Sequence, residues 1–230
     1  MTNKNLLALL LLIIGQFVFS QHLEFGPLIG KRSSNMEDSR ITDGKAVIGK
    51  SLWSTDKGFS VVYYFTDRYK NGSSAIQVGY MSSERGTRSE VFPGTNISFS
   101  AKSMIINYRY SNNLEGNFSS YFDAGFSYNR LDTQDIYHGT KDELRAFPKL
   151  KAPLRLKKDE GAFVAALGAD KKFLNNKIVV FAQVGVEASI FKVNQDSGVF
   201  RNTSLTMTTG LRYVVEVKKI ERLKDRKRGR

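Results

Sequence analysis

From Lys177 to Phe191 the chain reads KIVVFAQVGVEASIF, and taking every second residue separates it into two sets. Ile178, Val180, Ala182, Val184, Val186, Ala188 and Ile190 include no polar side chain. Val179, Phe181, Gln183, Gly185, Glu187, Ser189 and Phe191 are mixed. A period of two is strand geometry, with successive side chains on opposite faces. The run is long for a strand of a small soluble sheet. Two environments fit it: an apolar core on one side with solvent on the other, or lipid on one side with a polar barrel lumen on the other.

The same alternation marks eight candidate strands, near 22–30, 58–66, 73–82, 98–110, 117–130, 160–170, 176–191 and 202–216. In the second half of 98–110, Met104, Ile106, Tyr108 and Tyr110 oppose Ser103, Ile105, Asn107 and Arg109. In 117–130 a Phe-rich face opposes one that holds Asp123, and in 202–216 the face opposite Leu205, Met207, Leu211 and Tyr213 holds Arg212. Three connections are short and turn-forming: DRYKNG, SNNLEG and about KKFLN. The alternate ones, roughly 31–57, 83–97, 131–159 and 192–201, are longer. Strict alternation of short and long connections around an even number of strands predicts an all-β fold, an eight-stranded antiparallel transmembrane β-barrel with both termini on the periplasmic side. Lipid forbids open sheet edges, so the sheet is expected to close. Tyr108, Tyr110, Phe118, Tyr128 and Tyr213 fall near strand ends, where an aromatic girdle sits. The rival reading is a secreted sandwich or lipocalin-like barrel, with the apolar faces turned inward.

Three things count against that rival: the chain has no disulfides, its apolar faces are rich in aromatics at strand ends, and the faces that carry charge are small as well as polar. Lys4 precedes an unbroken apolar run from Leu6 to Ile14, and Val18 and Ser20 stand where a cleavage after Ser20 requires small residues. Residues 1–20 are therefore expected to be a signal peptide, 21–217 the barrel and 218–230 a basic periplasmic tail. The formal charge is +13, or +12 once Lys4 is removed. Lys218, Lys219, Arg222, Lys224, Arg226, Lys227, Arg228 and Arg230 set eight cations against two acids in the tail, a net +6. An export signal sets nucleic acid aside and leaves phospholipid headgroups, anionic glycan or a periplasmic protein as partners. With no cysteine and two histidines, His22 and His138, thiol catalysis, thiolate metal sites and a histidine metal site are not expected, and no cofactor is.

The signal ending FS before Gln21, the opening strand HLEFGPLIG and the glycine–aromatic strands together resemble the small outer-membrane β-barrel proteins of Bacteroidota. That group includes the family named for the gliding and secretion component PorT. The chain is also similar in general form to OmpX/OmpA-like eight-stranded barrels. The resemblance covers most of Gln21–Glu216 and implies an outer-membrane location, with a link to secretion or gliding. The chain departs from the usual ending on a terminal aromatic: TTGLRYVVEV runs on into the basic tail, and Tyr213 supplies the late aromatic.

Charge on the inward faces is expected to be structural, because a buried ion needs a partner. Glu24, Arg109, Asp123 and Arg212 are expected to cluster in the periplasmic half of the lumen, with Glu187 higher up; closure of first strand on last brings Glu24 to Arg212. Such a network plugs a narrow barrel. Lys149, Lys151, Arg155, Lys157 and Lys158 form a basic stretch in an outer loop, suited to lipopolysaccharide or simply to solvent. His138 has Asp135, Asp142 and Glu143 near it in sequence, but nothing else marks it as more than a loop histidine, and no catalytic residue is named. The expected function is a non-enzymatic scaffolding or binding barrel of the envelope. The alternatives are a lipid-modifying enzyme or a narrow passive pore.

Overall fold

The computed structural model describes residues 22–36, 50–66, 68, 71–88, 96–114, 117–132, 137–138, 158–190 and 202–216. The strands are β1 (His22–Met36), β2 (Lys50–Tyr64), β3 (Ser73–Arg88), β4 (Asn96–Asn113), β5 (Phe118–Asp132), β6 (Tyr137–His138), β7 (Asp159–Phe173), β8 (Ile178–Ser189) and β9 (Asn202–Glu216). All pairings are antiparallel. The order β3-β2-β1-β9-β8-β7-β5-β4 is closed by a β3–β4 ladder, giving an eight-stranded barrel. The two-residue β6 is an appendage, pairing Tyr137 and His138 with Ile97 and Asn96 at the start of β4.

One row of partners runs Leu23, Tyr63, Ile76, Tyr108, Ala124, Ala165, Val186, Leu205 and returns to β1 at Ser33. The displacement, 33 minus 23, is a shear of ten residues. Eight strands with that shear tilt by about 40° and enclose a backbone radius of about 8 Å. Only side chains fit inside.

The alternation places charge inward and apolar groups outward. Met104, Ile106, Tyr108 and Tyr110 of β4 are exposed, as are Phe122, Phe126 and Tyr128 of β5 and Val180, Val184 and Val186 of β8. This outer belt stops at a polar row towards the long connections, where Lys57, Ser82, Lys102 and Arg130 are consecutive partners and all exposed. At the opposite end, the backbone closes tightly. Asn175 and Asn176 take φ of 53° and 65°, and the turn is closed by Lys177 N donating to Leu174 O at 3.2 Å. Positive φ at both central residues matches the twist of a two-stranded ribbon, and asparagine tolerates it better than most.

The strand spans correct the sequence reading at the end of the long connections. β1 continues to Met36 rather than 30, β2 begins at Lys50 rather than 58, and β3 continues to Arg88 rather than 82. β7 also runs to Phe173, so the turn is 174–177 rather than KKFLN. The outward apolar signal ends where the belt ends, while backbone pairing continues past it.

Candidate functional site inside the barrel

The lumen holds two ionic clusters with an apolar layer between them. In the cluster nearest the short turns, Arg109 of β4 faces Asp123, its direct partner on β5, through a fork of two bonds, Nε–Oδ1 2.8 Å and Nη2–Oδ2 2.7 Å. The same Nη2 donates to Gln77 Oε1 at 2.6 Å. Arg212 of β9 donates to Glu24 Oε2 of β1 at 3.5 Å and to Ser60 Oγ at 3.4 Å. Arg68, from the connection between β2 and β3, reaches in between Glu24 and Asp170 of β7, the latter at 3.2 Å. Burial alone would lower the pKa of Arg68, but Tyr64, Glu24 and Asp170 hold it above the ordinary arginine value, so it stays charged. Among the described residues, three guanidiniums thus meet three carboxylates here.

Two aromatics roof this cluster. The Arg109 guanidinium lies 3.7 Å from the centre of the Tyr121 ring, and that of Arg212 lies 3.8 Å from the Phe181 ring. Both are within cation–π range. Each ring occupies space left by a glycine directly across the ladder. A Cβ on Gly168 would sit 2.3 Å from Tyr121 Cζ, and one on Gly210 would sit 2.7 Å from Phe181 Cε1. Phe181 itself packs with Leu28 and Met81, and Ile105 lies against that group.

The second cluster lies towards the long connections. Arg32 of β1 bonds Asp56 of β2 at 2.9 Å and Glu187 of β8 at 2.6 Å. Arg85 of β3 donates to Glu160 at 3.2 Å, Glu187 at 3.0 Å, Ser103 at 3.0 Å and Asn129 at 3.1 Å. Glu187 also accepts from Ser127 Oγ and Asn129 Nδ2, each at 2.8 Å. Four carboxylate–guanidinium contacts thus tie β1, β2, β3, β7 and β8 across the lumen.

The structure brings Glu24 to Arg212 and Arg109 to Asp123, and places Glu187 in the other cluster with partners the sequence reading did not name. Arg32, Asp56, Arg68, Arg85, Glu160 and Asp170 were all missed. Arg32 shares parity with Glu24, and Arg85 with Gln77, so extending the period would have found them. Arg68 lies in a connection and carries no periodic signal. Lys158 is exposed, and its carbonyl accepts from Leu131 N at 2.6 Å. Lys149, Lys151, Arg155 and Lys157 lie outside the described residues, as do the signal segment 1–20, the tail 218–230 and the side chain of His138. Among the described residues no group of three or more His, Cys, Asp or Glu side chains could hold a metal ion.

Set beside solved structures, the chain is similar to small outer-membrane barrels. The outer membrane protein OprG from Pseudomonas aeruginosa aligns at 12% identity over 86% of this chain and 97% of that one, with a TM-score of 0.49. Neisserial surface protein A aligns at 15% identity over 82% and 96%, with a TM-score of 0.48. The outer membrane protein AlkL, determined in lipid bilayers, aligns at 13% identity over 86% and 91%, with a TM-score of 0.45. No family model matches the chain, and no curated protein matches it.

Proposed function

We propose that this protein is a sealed, non-enzymatic β-barrel of the bacterial outer membrane that binds or scaffolds other envelope components through its long connections and its basic tail. The observation that carries the reading is the contrast between the two faces of one sheet. The outer face is an apolar belt bounded by the Lys57–Lys102–Arg130 row, with Phe59, Tyr80 and Tyr128 beneath that row and Tyr110, Phe118 and Tyr213 near the other end. In water such a belt is an aggregation surface; in lipid it is the required one. The inner face carries guanidiniums and carboxylates that bond one another across the lumen, leaving a rigid platform rather than a channel. The strand termini His22 and Glu216 pair at the end with short turns, which supports reading that end as the periplasmic one, with both termini on that side. The net +6 of residues 218–230 suits phospholipid heads or an acidic periplasmic partner. The Bacteroidota resemblance adds a connection to secretion or gliding.

The test has three arms. Fractionated envelopes should contain the protein in the outer membrane, migrating differently in detergent gels before and after heating. Capture from solubilised envelopes should then recover a component with the full chain that is lost when residues 218–230 are deleted. Purified protein in planar bilayers should conduct little. Soluble periplasmic recovery refutes the membrane reading, large stable channels refute the sealed platform, and identical capture by both chains refutes the role of the tail.

A further inference from the structure

We propose that the outer wall of the barrel carries a binding groove for the acyl chain of a phosphate-bearing lipid, with Lys31 holding the phosphate. The inference rests on the membrane reading above. A cavity of about 550 Å³ opens on the outside of the barrel across β7, β8, β9, β1 and β2. Its upper wall follows one partner row: Leu167, Val184, Met207, Lys31 and Thr55. Its floor is the next outward row, where Ala182 and Thr209 are direct partners and Thr209 pairs with Ile29. Small side chains beside a bulky row leave a trough. The Thr209 hydroxyl donates to Phe181 O at 2.8 Å, so it presents its methyl rather than a free polar group to the trough.

The trough is directional. Partner rows in a tilted barrel climb relative to its axis. Leu167 stands four residues from Lys171, at the turn end of its strand, whereas Lys31 stands two residues beyond Ile29, on the side of the long connections. From Leu167 the row therefore rises from deep in the apolar belt to its edge at Lys31, spanning three strand spacings, about 14 Å. That is the reach of an acyl chain. At the upper end the chemistry changes from hydrocarbon to cation. Lys31 is exposed and its Nζ donates to Thr55 Oγ1 at 3.1 Å, which uses one of three ammonium hydrogens and orients the other two. An apolar trough that ends on an oriented ammonium at the membrane edge is complementary to one amphiphile, an acyl lipid with an anionic phosphate head in the leaflet on the side of the long connections.

The probes are phosphatidic acid and phosphatidylcholine with the same acyl chains, added to the full chain in detergent and followed by native mass spectrometry. The wild type should retain phosphatidic acid in about fivefold preference, the equivalent of ~1 kcal/mol for one basic residue at a phosphate surface. Lys31→Gln should abolish the preference. Lys102→Gln, on β4 away from the groove, should leave it intact. Ala182→Leu with Thr209→Leu fills the trough and should reduce retention of both lipids, while the heat-dependent gel shift shows that this variant still folds. Equal retention of the two lipids by the wild type, or equal loss in the Lys31 and Lys102 variants, overturns the groove. A protein that stays soluble without detergent overturns the membrane reading instead.

Discussion

Arg85→Met should be a severely damaging change in the lumen. Arg85 is fully buried and is the only described basic side chain bonded to Glu160. Its removal leaves Glu160 with neutral donors alone, the Ser189 hydroxyl and the Asn129 amide at 3.2 Å, and leaves Glu187 with Arg32, Ser127 and Asn129. A neutral buried hydrogen bond is worth about 1 kcal/mol, but stripping the partner from a buried carboxylate costs about 3–5 kcal/mol. Methionine fills most of the volume, so the loss is electrostatic rather than a cavity. Urea titration of the protein refolded into lipid vesicles measures it, with Trp53, the single tryptophan and an exposed one, as the fluorescent reporter. Arg85→Met with Glu160→Gln removes the stranded charge and should recover at least ~1 kcal/mol relative to additivity. A loss below ~1 kcal/mol for Arg85→Met, or strict additivity in the double variant, would refute the claim that this cluster holds the barrel together.

Depth in the belt should set the cost of an outward charge. Val184→Arg in the belt should cost about 2–4 kcal/mol, and Ser82→Arg in the polar row about 0–1 kcal/mol, by the same titration; equal costs would mean that the outer face does not meet lipid. Gly168→Val should force the Tyr121 ring off Arg109 and cost about 1–3 kcal/mol by overpacking. Tyr121→Ala in the same chain should recover part of that loss in the heat-dependent gel shift, and no recovery would show that the aromatic–glycine pair is not the cause.

The period-two pattern of the chain was enough to determine the eight barrel strands and their alternation of faces, because lipid or core contact imposes itself on every outward residue of a strand; closure followed only once the outward face was read as meeting lipid. Met104, Ile106, Tyr108 and Tyr110 could be assigned to one face without any structure, and Arg109 to the other. The ends of the strands were not legible. Beyond Ile29, Phe59 and Tyr80 the outward residues become Lys31, Lys57 and Ser82, and the run of apolar outward residues is broken. Backbone pairing continues because the inner face still has Arg32, Asp56 and Arg85 to bury. Glu187 was recognisable as a lumen charge, but its partners were not. They come from strands that are remote in sequence and meet only through a shear of ten residues, a quantity fixed by register all the way around the barrel. Arg68 illustrates the limit most sharply: a connection residue has no period to betray it, and only the closed tertiary structure turns it inward between Glu24 and Asp170.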